Sequence, residues 1–364
     1  MVGRYHEGST VDLWGCFLLN PKRTFRFTLL AAAAVALVGS ALAHATLGKR
    51  NAEPLMGAGS SFVFPLVSTW TPVYDAATGV HVNYNPIGSG GGIAAISNRT
   101  VDFGASDAPL APDQFRSCNG CVQIPWALSA TSIAYNLDGV PTHLHMSGRV
   151  LARIYLGQIT QWNDAAIRKL NPKVKLPSEK ITPIFRSDSS GTTYNFTEYL
   201  STVSPAFKSK VGKGTQVNFP TGVGGRGSSG VAGVLSRTNG GIIYVDVAYS
   251  LKSHFKFFAM QNRAGKYTLP GLRGIQAAAA TVKKVPANNE LSIVDPPKSQ
   301  PTAYPICTFT YVILPLKTDK APQLRKFVFW ALTGGQKYGP KLLFQRIPKP
   351  VLVKAEKTLK QIHG

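Results

Sequence analysis

The chain has 364 residues, and its 40 Lys and Arg against 17 Asp and Glu give a formal net charge of +23. With 44% hydrophobic and 16% charged residues, and with 35 Gly and 25 Pro spread along the chain, the composition excludes a fibre or a disordered polymer. The length predicts one large or two medium domains.

The first predicted element is an export signal. Basic residues within 21–26 precede an apolar stretch, 27–38, and small residues follow it. This order is typical of a signal peptide, so residues 1–45 are interpreted as a leader with its signal core at about 21–45. An uncleaved membrane anchor is the alternative. After residue 50 no apolar run of about 18 residues occurs, so the body of the chain is not predicted to span a membrane.

Strand-like and helix-like segments alternate after the leader, which predicts an α/β fold with mainly parallel sheets. Three strand-turn-helix units stand out. They are strand 55–58 with helix 62–77, strand 81–87 with helix 93–98, and strand 181–185 with helix 193–203. A further strand, 101–105, ends just before Ser106 and Asp107.

The turns of these units have the composition of anion-binding loops. The first turn of a helix has N–H groups without intrahelical partners, and glycine lets the backbone approach a ligand closely. Hydroxyl donors are added by Ser61, Ser89, Ser190 and Thr192. Arg186 adds a positively charged guanidinium group, which can donate two parallel hydrogen bonds to the oxygen atoms of an anion. Each turn alone is also explained by an ordinary serine N-cap or a glycine-rich connection.

Cysteine usage agrees with export. Cys118 and Cys121 are separated by Asn and Gly in a turn-like stretch, which outside the cytoplasm favours a local disulfide over a thiol redox motif or half of a zinc site. Cys307 lies in an apolar strand-like segment, where an inert buried thiol is expected.

The basic excess remains after processing, because residues 46–364 contain 36 basic and 15 acidic residues, a net charge of +21. These cations are scattered without a long run, so no nucleic-acid partner is predicted, whereas small anions would be attracted. The chain has no phosphate-loop motif, no His-Glu-x-x-His and no Gly-x-Ser-x-Gly elbow. We therefore predict a binding protein rather than an enzyme, with no catalytic residue, metal or cofactor.

Several motifs resemble, in order along the chain, the phosphate-binding proteins of the high-affinity phosphate ABC transporters, a family of periplasmic solute-binding proteins. They are GAGSSF at 57–62, NYNPIGSGGG at 83–92, VDFGASDAPL at 101–110, IYLG at 154–157, WND at 162–164, RSDSSGT at 186–192 and GGIIYV at 240–245. The resemblance covers most of the mature chain.

The resemblance implies a two-lobed periplasmic binding protein fold of type II. Each lobe is then a mainly parallel sheet flanked by helices, and crossing strands form a hinge. One lobe is expected at 46–127 plus 305–364 and the other at 128–304. The hinge is expected near 126–135 and 304–314, where the sequence is extended and apolar.

The resemblance also implies the binding residues. The expected phosphate contacts are Ser61, the backbone of Phe62, Ser89 and Asp107 in the first lobe, and Arg186, Ser190, Gly191 and Thr192 in the second. Asp188 matches the family acid that pairs with the binding arginine. Taken without the resemblance, Asp107 could equally be a helix N-cap, and Arg186 with Asp188 a surface ion pair.

Asp107 offers a physical basis for selectivity. Phosphate keeps a proton and can donate it to a carboxylate, whereas fully ionised sulfate would face it with two acceptors. The expected function is capture of inorganic phosphate by a monomer outside the cytoplasm, in the periplasm or cell envelope, and delivery to the permease and ATPase subunits of an ABC transporter. The alternatives are a receptor for another tetrahedral oxyanion and a secreted phosphatase.

Overall fold

The computed structural model of the protein describes residues 53–364. The predicted leader and export signal, residues 1–45, lie outside this range. Among residues 53–364, no helix is both long and apolar enough to cross a membrane.

Twelve strands lie within residues 53–364 and form one nine-stranded and one three-stranded sheet. The strands are β1 (Leu55–Gly59), β2 (Val82–Asn85), β3 (Phe103–Ser106), β4 (Cys121–Asn136), β5 (His145–Met146), β6 (Thr182–Arg186), β7 (Val223–Gly225), β8 (Gly241–Asp246), β9 (Lys256–Phe257), β10 (Ala259–Gln261), β11 (Tyr267–Thr268) and β12 (Cys307–Pro315).

The helices surround this sheet. Those that the structure describes are α1 (Phe64–Thr78), α2 (Ser89–Ser97), α3 (Pro112–Cys118), α4 (Gly148–Tyr155), α5 (Ala165–Leu170), α6 (Gly191–Val203), α7 (Pro205–Lys210), α8 (Gly227–Ser236), α9 (Val247–Lys252), α10 (Leu272–Ala279), α11 (Ala321–Leu332) and α12 (Lys349–Leu359), together with the short 3-10 helices Gly334–Tyr338 and Pro340–Leu342.

The large sheet has two halves joined by β4. Its strand order is β2-β1-β3-β12-β4-β8-β6-β7, and β9 also pairs with β4. The start of β4 pairs with β12, and its end, from Thr131 to Asn136, pairs with β8. We call β2, β1, β3 and β12 the first half of the sheet, and β8, β6 and β7 the second half.

The α/β prediction is confirmed, although the sheet is mixed at its centre. Strands β1, β2 and β3 are parallel, as are β6, β7 and β8, because helices return the chain between them. Strand β12 is antiparallel to both β3 and β4, and β4 is antiparallel to β8. The lobe boundaries at 127/128 and 304/305 stay a prediction.

Each half of the sheet is covered by an aromatic core. In the first, Trp70 and Trp126 pack edge to face at 5.3 Å and Phe327 lies 6.3 Å from Trp126. In the second, Phe196 stacks on Tyr244 at 4.2 Å and meets Tyr155 edge to face at 4.8 Å. Burial of these large side chains stabilises the helices against the strands whose ends carry the polar turns.

Three predicted helix starts were wrong by a few residues. Helix α1 begins at Phe64 rather than 62, α2 at Ser89 rather than 93, and α6 at Gly191 rather than 193. The glycines at 90–92 have low helix propensity and indicate a turn. In the structure they lie within α2, and a Cβ at Gly92 would collide with the backbone of β1, so only glycine lets α2 pack this closely.

Candidate functional site

Asp107 directly follows β3, at the carboxyl end of a strand in the first half of the sheet, and only 2% of its surface is exposed. Its Oδ1 accepts a hydrogen bond from the Ser60 hydroxyl at 2.5 Å, and its Oδ2 accepts one from Ser89 at 3.4 Å. The next helix, α3, begins only at Pro112. Asp107 is therefore not a helix N-cap but a buried acceptor among hydroxyl groups.

Burial dominates the acidity of this carboxyl group. It raises the pKa of Asp107 from 3.8 to about 7, and the hydrogen bond from Ser60, the charge of Arg186 and the hydrogen bond from Ser89 act in the opposite direction. An ionised Asp107 is thus costly at this buried position even though Ser60 and Ser89 donate to it.

Arg186 lies at the end of β6 and forms a two-pronged pair with Asp188. Its Nε donates to Oδ1 at 2.7 Å and its Nη2 to Oδ2 at 2.5 Å. The two side chains are 2% and 12% exposed, so the alternative of a surface ion pair is wrong. Burial alone would raise the pKa of Asp188, but the hydrogen bonds and charge of Arg186 hold it below its ordinary value.

The start of α6 reaches across to the first half of the sheet. The N–H of Gly191 donates to the Ser89 hydroxyl at 3.0 Å. Ser190 caps the helix by accepting from the N–H of Thr193 at 3.2 Å, and the hydroxyl of Thr192 is buried without a protein partner. A Cβ at Gly191 would lie 2.6 Å from the Asp107 nitrogen, so this close approach requires glycine.

The first turn contributes Ser60, Ser61 and Phe62. The N–H of Phe62 donates to the Ser60 hydroxyl at 3.1 Å. The Ser61 hydroxyl accepts from the N–H of Ser228 at 3.1 Å and lies 3.0 Å from the Ser228 hydroxyl. The structure therefore brings together the predicted residues from all of the polar turns, although their role in binding stays a prediction.

Sequence reasoning missed Ser60, Ser228 and Asp246, each of which is fully buried here. Ser60 is next to the predicted Ser61. Ser228 follows the strand-like Val-Gly-Gly of β7 in a glycine-rich turn that opens a helix, so it repeats the pattern used for the other units. Nothing local distinguished Asp246, which follows the buried β8.

The cysteines follow their predicted pattern. Cys118 and Cys121 form a disulfide, and the guanidinium of Arg99 donates to the carbonyl oxygens of Cys118 and Asn119 at 2.9 Å. Cys307 is a buried free thiol. Within residues 53–364, no group of three or more His, Cys, Asp or Glu side chains is placed to hold a metal ion.

Chemically, the site combines many donors with the buried carboxyl group of Asp107. Hydroxyl groups, the N-terminal N–H groups of α2 and α6 and the guanidinium of Arg186 favour an oxyanion. The carboxyl group of Asp107 favours an anion that still carries a hydrogen.

Comparison with known proteins adds independent information. The model of the PBP superfamily domain matches residues 44–334. The phosphate-binding protein PstS of Xylella fastidiosa (strain Temecula1) is 42% identical over 304 residues, which are 82% of this chain and 83% of that protein.

Among solved structures, the high-affinity periplasmic phosphate-binding protein PfluDING, with phosphate bound, matches with a TM-score of 0.68 and 20% identity over 84% of this chain and 93% of that chain. An ABC-type phosphate transport receptor from Vibrio cholerae matches with a TM-score of 0.52 and 17% identity over 81% of this chain and 100% of that chain. At these identities the two structures show a shared fold.

Proposed function

The chain belongs to the PBP superfamily and, within it, to the phosphate-binding proteins PstS, and from this membership we propose that it captures inorganic phosphate and delivers it to an ABC transporter. It acts as a binding protein, not as an enzyme. The binding residues are those of the polar turns, namely Ser61, Phe62, Ser89, Asp107, Arg186, Ser190, Gly191 and Thr192, with Asp188 holding Arg186.

One observation carries this proposal: a buried carboxyl group stands at the centre of a donor-rich anion site. Ser60 and Ser89 both donate to Asp107, and the first N–H of α6 lies beside it. Phosphate at neutral pH keeps at least one O–H, which can be donated to Asp107 while its other oxygens accept from the surrounding groups. Fully ionised sulfate has no such hydrogen and would leave two acceptors in contact.

Capture takes place between two lobes, 46–127 plus 305–364 and 128–304. Contacts such as Gly191 to Ser89 and Gly90 N–H to Ser189 oxygen, at 3.0 Å, join the two halves of the sheet directly over the site. An anion that accepts from both halves binds the closed arrangement better than an open one, and so draws the lobes together through a hinge at the central strands.

The remaining partners follow from this role. The chain is exported through its leader, acts as a monomer in the periplasm or cell envelope, and docks in its closed form on the permease, which the ATPase subunits drive. Its positive charge, +21 for residues 46–364 with 36 basic and 15 acidic residues, speeds the encounter with phosphate in a salt-sensitive way.

Thermal unfolding tests the function. Purified protein is unfolded and refolded to remove bound ligand, and its unfolding temperature is measured near pH 8 with phosphate or sulfate at equal ionic strength. A ligand that binds only the folded state raises this temperature by mass action. We expect a large shift with phosphate and none with sulfate. No shift with either anion in folded protein would contradict the proposal and lead to an oxyanion panel and a phosphomonoester assay.

A further inference from the structure

A fourth polar turn, between β7 and α8, lies beside the other three. Strand β7 is parallel to β6, with Gly225 opposite Arg186, so the chain leaves both strands at the same edge of the sheet. Gly227, with a φ of 69°, opens α8 and donates its N–H to Oδ1 of Asp188 at 2.9 Å. The N-terminus of a ten-residue helix thereby faces the turn that carries Arg186.

The next residue, Ser228, makes the contact that crosses the site. Its N–H donates to the Ser61 hydroxyl at 3.1 Å, and the two hydroxyl oxygens lie 3.0 Å apart, although 167 residues separate them in sequence. Ser228 is fully buried and Ser61 is 4% exposed. Hydrogen bonds between such buried groups hold a defined geometry, because water cannot replace them.

The hydrogen atoms of this pair leave one donor free. The Ser61 oxygen already accepts from the Ser228 N–H. If the Ser228 hydroxyl also donates to Ser61, the Ser61 hydrogen remains available, and if Ser61 donates instead, the Ser228 hydrogen does. In the second arrangement Asp246 is a competing acceptor for the Ser228 hydrogen, so it is the first arrangement that offers a hydroxyl hydrogen, that of Ser61, to an anion.

Asp246 supports the same reading of this turn. It follows β8, its Oδ1 accepts from the N–H of Tyr249 at 3.0 Å, and its Oδ2 is buried without a partner. Burial raises the pKa of Asp246 well above its ordinary value; the Tyr249 N–H opposes this shift, the charge of Asp107 adds to it, and the Ser228 hydroxyl opposes it. Asp246 therefore lies buried beside Ser228, at the same edge of the sheet as the other polar turns.

We propose that the β7–α8 turn is a fourth arm of the anion site, in which Ser228 is a positioning residue that holds the Ser61 hydroxyl towards bound phosphate. This inference rests on the proposed function. Because Ser61 belongs to the first half of the sheet and Ser228 to a turn of the second, the contact exists only when the halves meet. It therefore slows the release of phosphate more than it affects its entry.

The test compares Ser228→Ala with Ser61→Ala, with the double variant and with Ser229→Ala. Ser229 is on the same helical turn but exposed, so its variant is the matched control. Phosphate affinity is measured by calorimetry and the dissociation rate by stopped flow, and thermal unfolding of ligand-free protein checks folding. We expect Ser228→Ala to weaken binding about three- to tenfold, through faster dissociation, while Ser229→Ala leaves it unchanged.

The double variant tests whether Ser228 acts through Ser61. If it does, removing Ser228 in the Ser61→Ala background weakens binding less than about twofold further. Losses that multiply, or a Ser228→Ala variant that behaves like Ser229→Ala, would overturn the positioning role. Wild-type protein that does not bind phosphate would instead overturn the proposed function, so the two failures are distinguishable.

Discussion

The hydroxyl of Ser60 donates to Oδ1 of Asp107 at 2.5 Å, although the two residues are 47 positions apart. The contact follows from the parallel pairing of β1 with β3, in which Gly59 lies opposite Ala105, so the residues after both strands leave the sheet side by side. With Ser89 donating to Oδ2, both oxygens of Asp107 are held in place. Above about pH 7, where it is ionised, the acid is therefore a fixed acceptor, and a bound anion that reaches it must bring a hydrogen atom.

The first prediction concerns selectivity. Asp107→Asn replaces the carboxylate with a neutral amide that can donate to an anion without a hydrogen. A site that leaves a buried polar group unpaired rejects the wrong ligand by about four to five orders of magnitude. We expect the preference for phosphate over sulfate, measured by calorimetry near pH 8, to fall at least about 100-fold in this variant.

Ser61→Ala is the control for this experiment. In the proposed site Ser61 supplies a hydroxyl donor that any oxyanion can use, so its loss should weaken phosphate and sulfate binding by similar factors. Equal losses of selectivity in the Asp107→Asn and Ser61→Ala variants would contradict the assigned role of Asp107.

The second prediction concerns stability and pH. The pKa of Asp107 is about 7 in the folded protein and close to 3.8 when unfolded. Between these values the folded protein keeps a proton that the unfolded chain has released, so the free energy of unfolding falls as pH rises from about 4 to 7. We expect the stability of the ligand-free Asp107→Asn variant relative to wild type to increase across this range, reaching a gain of at most about 4 kcal/mol by pH 8.

The measurement is thermal or urea unfolding of both proteins from pH 5 to 8 without phosphate. Asp246 titrates in the same direction and is present in both proteins, but the charge of Asp107 raises its pKa in wild type alone, so the difference between the proteins reports Asp107 together with its effect on Asp246. A difference that does not change with pH would show that the Asp107 carboxyl group is not buried as the structure has it.

The third prediction tests the close approach of α6 to β3. A Cβ at Gly191 would lie 2.6 Å from the Asp107 nitrogen and 2.7 Å from the Ala108 nitrogen, which are backbone atoms that cannot rotate away. We expect Gly191→Ala to weaken phosphate binding at least about 100-fold by calorimetry, because a displaced helix start misplaces several hydrogen bonds at once.

Gly233→Ala is the matched control for Gly191→Ala. Gly233 lies within α8, where a Cβ would come no closer than 3.8 Å to any atom outside the neighbouring backbone of its own helix, so this variant should bind phosphate normally and gain slightly in stability. Normal phosphate binding by Gly191→Ala would mean that the bound state does not use this approach.

The sequence predicts those parts of the site that depend on neighbouring residues, and not those that depend on residues far apart in the chain. The turns with Ser61, Ser89 and Arg186 were predictable because a glycine-rich turn between strand and helix is a local pattern, and the ends of parallel strands meet at one edge of a sheet. Ser60 was not identified because its partner depends on the register between β1 and β3. Asp246 was missed because the place of β8, between β4 and β6, has no local signature.

The start of α2 shows that a local pattern can also give a wrong prediction. Three consecutive glycines indicate a turn, whereas in the structure they lie within α2 and Gly92 packs closely against the backbone of β1. Burial also depends on residues distant in sequence. The local sequence around Arg186 and Asp188 fits an exposed ion pair equally well, but in the structure the surrounding turns bury both side chains.

The fourth prediction concerns Arg186, the proposed binding arginine, and its partner Asp188. Asp188→Asn removes the charge that balances Arg186 and leaves a cation in a site where its side chain is 2% exposed. An uncompensated buried charge is strongly destabilising, so we expect the ligand-free variant to lose about 3 kcal/mol of unfolding free energy at neutral pH. The pKa of Asp188 is lowered on folding, so its stabilising contribution in wild type is lost as pH falls through that lowered value, and the variant lacks this acid dependence.

Phosphate should restore much of that loss, because the bound anion balances Arg186 in place of the missing carboxylate. We therefore expect a larger rise in unfolding temperature with phosphate in Asp188→Asn than in wild type. The matched control is Asp295→Asn, since Asp295 accepts two hydrogen bonds from Arg263 at 2.9 and 2.6 Å, but the Arg263 side chain is 46% exposed. That variant should lose less stability and respond to phosphate as wild type does. If both variants respond to phosphate alike, Arg186 does not face the bound anion.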